Sequence, residues 1–391
     1  MSTDPPVPSP QAYRDFKRPA WLLSLAVPLL VGMGPLAVAG LGAGVGWLWA
    51  PVVLVYGLGP LLDTVLGADR SNPPESAVPA LEQDAYYRRV TYALVPLLWA
   101  MFVLAAWFAA TWPLPWHARL ALVLTTGMVG GFGINLGHEL GHKLTRLEQR
   151  LALVALAPTG YGHFCVEHNR GHHRHVATPQ DCASARMGES IWRFLAREMP
   201  GGFVRAWRLE AARLRLRGLP VLSLRNDIVL AGALTTLLWS ALVLWLGWRV
   251  LPFLLLASFW ANFQLTTANY IEHYGLLRRH AADGTVERCT PRHSWNSNHV
   301  FSNWALFHLQ RHADHHAHPG RRYQSLRHFN DAPQLPTGYF GMFPAAYLPP
   351  LWFALMDRRL VEALQGDASR VNFDPRKRER LMRRWFAGGR G

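Results

Sequence analysis

Six stretches of this chain are apolar for about 20 residues each, at 21–40, 43–65, 91–111, 118–137, 227–247 and 250–270. At 1.5 Å of rise per residue, each is long enough to cross a hydrocarbon core of ~30 Å as a helix. Lipid offers no partner to a free backbone N–H or C=O, so stretches of this kind must satisfy their backbone internally. The expected fold is therefore an all-α, polytopic membrane protein with six transmembrane helices. The first stretch follows Lys17 and Arg18 and contains Ala37-Val38-Ala39, as a signal peptide would. Its apolar run exceeds the usual 7–15 or so residues and leads directly into another span, so it reads as a retained helix.

Orientation follows from the loops. Arg14, Lys17 and Arg18 precede the first span, Arg70, Arg88 and Arg89 lie between the second and third, and the segments after the fourth and sixth are rich in arginine. The alternate loops are short and nearly uncharged, Arg249 excepted. Positive-inside logic places both termini, together with segments 138–226 and 271–391, in the cytoplasm. The expected organisation is a single domain, 1–391, whose two polar segments form a cytoplasmic helical cap.

The formal charge of +15 invites a nucleic-acid reading. The basic residues are separated by membrane-length apolar segments, which topology alone explains, so no nucleic-acid partner is expected. Three cysteines without a CxxC pair argue against a disulfide scaffold, a zinc ribbon, a built-in rubredoxin or a thiolate-held Fe–S cluster.

The informative residues are the 18 histidines. His138-Glu139-Leu140-Gly141-His142 stands where the fourth span meets the cytoplasm, and residues four apart share a helical face. A second box runs Glu167-His168-Asn169-Arg170-Gly171-His172-His173, and a third His312-Ala313-Asp314-His315-His316. His273 stands at the exit of the sixth span. By the topology above, all nine face one compartment. Alone, the first box fits a zinc site with Glu139 as general base equally well. That reading needs only one or two further ligands and leaves two boxes unexplained, whereas nine imidazoles suit two metal ions. Imidazole accepts iron, copper, nickel or zinc, so the donors do not name the metal. Glu139, Glu167, Glu272 and Asp314 adjoin the boxes and are candidates to hold histidines of other segments, as Asp181 is for the second box. His117, His280 and His328 stand alone and read as ordinary hydrogen-bonding residues.

The HELGHK, EHNRGHH, NYIEHYGL and LQRHADHH runs, in this order, closely resemble the integral-membrane alkane 1-monooxygenases, which are non-haem di-iron enzymes. The likeness spans nearly the whole chain, from Pro60-Leu61-Leu62-Asp63 to Leu351-Trp352-Phe353. Fatty-acid desaturases share the box logic but usually carry HxxHH in the middle. Xylene monooxygenases are nearer, and NYIEHYGL favours the alkane branch. The resemblance implies two irons held by His138, His142, His168, His172, His173, His273, His312, His315 and His316. It also implies an enzyme of the bacterial inner membrane that converts n-alkane, dioxygen, two electrons and two protons into a 1-alkanol and water. Electrons are then expected from rubredoxin, reduced in turn by an NADH-dependent reductase. Arg170, Arg174, Arg311 and Arg321 are candidates to steer that acidic donor. The glycine-bearing basic segment 387–391 resembles the start of a linker to a fused rubredoxin.

An n-alkane dissolves in the bilayer, so its entrance is expected to be lateral, from among membrane lipids. Gly127 and Gly131 on the fourth span read either as tunnel lining or as sites of close helix packing. Val55 occupies the region where the family carries a size-setting residue, which implies medium- to long-chain substrates. A xylene or fatty-acyl hydroxylase or desaturase, an intramembrane zinc protease and a metal carrier remain as alternatives.

Overall fold

The computed structural model describes residues 13–279 and 283–386. His280 and the segment 387–391 lie outside them. The chain is 70% helical, and the described residues contain no sheet, only four isolated β-bridges. Six helices are long and apolar enough to cross a membrane: Arg18–Gly40, Val45–Leu66, Ala85–Thr111, Trp116–Gly141, Asp227–Leu246 and Trp248–His273, called here spans one to six. All six expected spans are present. Span three begins six residues earlier than its hydropathy implies, because Asp84 caps it by accepting from the Tyr86 N–H at 2.8 Å. Arg88 and Arg89 therefore ride on a helical turn rather than a loop. Span five is capped in the same way by Asn226. Span four runs on through Gly141, so His138 belongs to its last turn.

Span four is the axis of the bundle. Its most apolar window is 72% buried, against 17% for spans two and five, which leaves those two for lipid. Span four packs on span six in parallel, and glycine makes the approach possible. A Cβ on Gly127 would meet the Ala257 carbonyl and Trp260 Cβ at 2.7 Å, and one on Gly131 would meet Gln264 Cβ at 2.6 Å. Both numbers lie well inside any van der Waals contact, so a larger residue would push the helices apart. These two glycines, read from the sequence as possible tunnel lining, are filled by span six. Gly130 and Gly133 instead border a small apolar cavity of about 20 Å³ with Leu98, Phe102 and Val129, too small for an alkane chain.

One feature runs against the sequence reading of 138–226 as lying wholly outside the membrane. Helix Arg146–Leu156 turns back into the bundle beside spans three and four. At its foot, the Trp99 indole donates to the Val154 carbonyl at 2.8 Å, Thr235 to Ala157 at 2.9 Å, and Trp239 to Pro158 at 3.1 Å. Thr159 lies against Gly130, eleven residues or about 16 Å of helix before the end of span four. Gly160, at φ +66°, turns the chain, which climbs back past Ala231 and Ile228 to the second histidine box. This re-entrant hairpin is compatible with lipid because its irregular backbone is buried in protein and hydrogen-bonded to span side chains.

The amphipathic helix Ile191–Leu216 closes over the hairpin. Its Glu198 accepts from the Thr266 hydroxyl at 2.7 Å and from the Asn269 amide at 3.1 Å on span six. Burial pushes this carboxyl up to about 7. Between its ordinary value of 4.5 and about 7, the folded protein holds a proton that the unfolded chain has released, so stability falls as pH rises through that window. Glu198→Gln, which keeps a donor and an acceptor in place, is expected to flatten the melting temperature of the detergent-solubilised protein across that interval. A slope equal to that of the wild type would remove Glu198 from the linkage.

Candidate metal centre

The parallel register of spans four and six delivers His138 and His273 to the same end of the bundle. His142 follows one turn after His138, at the residue where span four stops. The second box arrives on the returning arm of the hairpin, where residues 168–172 form a π turn. A π turn closes i to i+5, and it brings residues five apart onto one face where an α turn brings residues four apart. His168 and His173 therefore meet, Nε2 to Nε2, at 3.1 Å, while His172 points elsewhere. The third box lies on the short buried helix His312–Ala317, where regular α geometry pairs His312 with His316 at 2.9 Å and sends His315 to another side.

These local geometries sort the nine rings into two nests. His138, His142, His168, His173 and His315 form one, and His172, His273, His312 and His316 the other; within each, ligating atoms lie within 4.8 Å of one another. In the first nest His315 Nε2 stands 2.8 Å from that of His138 and 3.0 Å from that of His173. In the second, His273 and His312 meet at 3.2 Å, and His172 and His316 at 3.3 Å. The nests adjoin, with the ring centroids of His173 and His316 4.5 Å apart. Burial pushes His142, His168, His173, His312, His315 and His316 well below the ordinary imidazole value. Neutral rings carry the free lone pair that a metal requires.

Of the four acids that adjoin the boxes, only Glu272 touches a clustered histidine among the described residues. Its Oε2 lies 3.2 Å from His312 Nε2, and its Oε1 accepts from the Tyr339 hydroxyl at 2.7 Å. The others answer to nearer cations. Glu139 pairs with Lys143 at 3.0 Å, Glu167 with Arg205, and Asp314 with Arg321 at 3.1 Å as well as with His318 at 2.8 Å. Asp181 does what those three do not: its Oδ2 accepts from His172 Nδ1 at 2.9 Å and from Ser184 Oγ at 2.7 Å, and Arg205 holds its Oδ1 at 2.8 Å. Burial opposes the charged form of both partners, yet the pairing prevails: Asp181 is held well below the usual carboxylate range and His172 above the usual imidazole value. Glu167, Asp181 and Cys182 converge closely enough to suggest a third metal position, but the Arg205 guanidinium already supplies the cation there.

The four arginines proposed for partner docking divide. Arg170 and Arg174 are exposed on the outer side of the second box. Arg311 is not available: it is 1% exposed, and its guanidinium donates to the carbonyls of Leu326, Asp69 and Ser71 at 2.7, 2.9 and 3.1 Å. It anchors the third box to the loop after span two, a role invisible in sequence because the loop is some 240 residues away. Arg321 is largely occupied too, held between Asp314 and Glu75. Val55 is partly buried in the π-helical stretch Leu54–Leu58 of span two, where the neighbouring Tyr56 hydroxyl donates to Gln264 of span six at 2.6 Å.

Removing the carboxylate that holds a metal-bound imidazole typically costs 10- to 100-fold in affinity. Asp181→Asn is expected to weaken metal retention at the four-histidine nest by about that factor. The measurement is metal content per chain during dialysis against a chelator, with one ion lost early and the other kept. Equal loss of both would mean that Asp181 does not act through His172.

A family model described as fatty acid desaturase matches residues 111–346. Alkane 1-monooxygenase 1 of Alcanivorax borkumensis is 50% identical over 369 residues, covering 94% of this chain and 91% of its own length. The alkane 1-monooxygenase of Ectopseudomonas oleovorans is 46% identical over 382 residues, covering 97% and 94%. The xylene/toluene monooxygenase hydroxylase component XylM of Pseudomonas putida is 30% identical over 220 residues, or 56% of this chain and 58% of its own. Identity and coverage both separate the first two from the third, on the side to which NYIEHYGL pointed. The chain belongs to the alkane 1-monooxygenase family of multi-pass membrane proteins, within the wider fatty acid desaturase family.

Proposed function

We propose that this protein hydroxylates the terminal methyl of medium- to long-chain n-alkanes to 1-alkanols, using dioxygen and electrons from rubredoxin, in the bacterial inner membrane. The observation that carries the reading is the sorting of nine imidazoles into two adjoining nests at one end of the spans. The donor set fits a pair of irons: every ligating group is an imidazole nitrogen, the kind iron accepts, and His142 Nε2 is buried with no hydrogen-bond partner among the described residues. His138, His142, His168, His173 and His315 would hold one ion, and His172, His273, His312 and His316 the other. When bound, the irons supply the redox chemistry that activates dioxygen.

The protein's own groups do the rest. Asp181 fixes the tautomer of His172, so that Nε2 presents its lone pair to the nest. Tyr339 holds one oxygen of Glu272 and leaves the other facing His312. The burial of both nests keeps bulk water from the reacting methyl group. An alkane has no polar handle, so selectivity rests on the shape and length of its channel, with Val55 as the candidate stop. Arg170 and Arg174, exposed on the outer side of the second box, are the docking candidates that remain for the donor. The positive-inside pattern puts this face, both termini and the helical cap in the cytoplasm.

The desaturase model over 111–346 favours a second reading, in which the substrate is a fatty-acyl chain. The decisive experiment is purification in detergent with iron quantitation and parallel assays on octane, xylene and acyl lipid, with rubredoxin, its reductase and NADH supplied. Two irons per chain and 1-octanol are expected, and His312→Ala should reduce both iron content and product to background. A single zinc per chain, or product from acyl lipid alone, would overturn the assignment. Val55→Trp is expected to shift products toward shorter alkanols; an unchanged chain-length profile would remove Val55 from the channel.

A further inference from the structure

Between the descending arm of the hairpin and its returning arm lies a cavity of about 360 Å³. It opens at the level where span four ends, at Gly141, and span five begins, at Asp227, both of which border it. Arg146, Arg150 and Arg170 line it together with Asn169, and Leu153 and Val166 give it apolar sides. Arg170 is matched by Glu210 at 2.7 Å. Arg146 and Arg150 are exposed and enter no ion pair among the described residues.

The surface around the cavity is not that of a water-facing loop. Leu144 is 95% exposed and Leu147 57%, immediately beside Arg146. The segment 214–225 alternates in the same manner, with Leu216, Leu222 and Leu224 exposed among Arg215, Arg217 and Arg225. Glu210 ties that segment to the cavity: it holds Arg170 and Arg213, accepts from the Asp227 N–H at 3.0 Å, and Arg213 donates to the Arg225 carbonyl at 2.9 Å. Burying apolar side chains is favourable, so five leucines left in water would be a standing cost. At the edge of a bilayer they sit in the acyl boundary while the arginines reach the phosphates, as interfacial segments do.

We propose that this cavity binds the phosphodiester headgroup of an anionic phospholipid. Arg146 and Arg150 are its ligands, and the neighbouring leucines are seated among acyl chains. Guanidinium groups suit phosphate oxygens, and basic pockets at the ends of spans recognise such headgroups. The headgroup sits between the two arms of the hairpin that carries the second histidine box, so it stabilises the folded protein by mass action.

The test uses the full chain in nanodiscs of equal phosphatidylglycerol and phosphatidylcholine, with retained lipid read by native mass spectrometry. Phosphatidylglycerol is expected to be retained on the order of tenfold over phosphatidylcholine, and Arg146→Gln/Arg150→Gln to bring the two to parity. Arg119→Gln/Arg249→Gln removes the same charge at the opposite ends of the spans and should leave the preference intact. If the first variant fails to fold, Leu144→Ser/Leu147→Ser serves in its place and is expected to weaken retention at unchanged metal content. Unaltered preference in the first variant would overturn the proposal. So would inorganic phosphate raising the melting temperature as much as phosphatidylglycerol does, since the site would then take a free anion. Loss of rubredoxin-supported turnover with lipid retention unchanged would overturn it as well, marking a protein-docking face.

Discussion

The close parallel contact between spans four and six sets the level of everything at the histidine end. Gly127 and Gly131 let the backbones approach until Ala257, Trp260 and Gln264 fill the space that side chains would occupy. Because the two helices run in the same direction, the register established at 127–131 against 257–264 persists to their ends. It delivers His138 and His273 to the same end of the bundle after a further two to three turns. Glycine used this way gives van der Waals packing where no hydrophobic drive exists between apolar helices in lipid. A residue of any size at Gly131 would displace one ligand-bearing helix against the other, and nests whose ring nitrogens lie about 3 Å apart tolerate little displacement.

Within that frame, helical periodicity decides which nest receives each ring. The i,i+4 pairs His138/His142 and His312/His316 each stay together, as regular α geometry requires. The second box departs from this rule because its backbone is a π turn, so His168 joins His173 rather than His172. Adjacent histidines thus part company: His172 and His173 serve different nests, as do His315 and His316. The extra residue that sets this box apart from the usual desaturase spacing is the residue the π turn accommodates.

How much of this could be read from the residues alone follows the range of the interaction involved. The spans depend on local hydropathy, and all six were legible, with errors of a few residues where Asp84 and the first box extended a helix. The histidine boxes depend on local spacing and were equally plain. The re-entrant hairpin was not, because eleven residues of mixed polarity at 146–156 lack the length of a span and are held in the bundle by Trp99, Thr235 and Trp239 from distant segments. The acids show the same limit. Glu139, Glu167 and Asp314 were expected to hold histidines of other segments, yet each found a basic partner that tertiary packing brings nearer. Asp181, nine residues beyond His172, reaches it only because the chain folds back after the second box. Arg311 looked like surface charge beside a metal box; three carbonyls from other loops take it inside.

The electrostatics of the centre rest on keeping charge off the histidines and on their surroundings instead. Nine imidazoles within such short distances could not all be protonated, and burial, aided by the neighbouring rings, holds most of them neutral. His172 is the exception, and its position explains why. It alone among the nine hydrogen-bonds a carboxylate through Nδ1 among the described residues, and that carboxylate is itself held by Arg205. The Asp181–Arg205–Glu167 network therefore places two acids and one cation behind a single ring. A bound cation would repel the proton that Asp181 otherwise helps His172 to keep, while Asp181 continues to accept from Nδ1. The same hydrogen bond that favours protonated His172 would orient its Nε2 lone pair toward a bound ion. Held through Nδ1 by a carboxylate that Arg205 and Ser184 brace in turn, the ring keeps one orientation, which is how a buried ion pair of this kind can stand behind a ligand rather than merely near it.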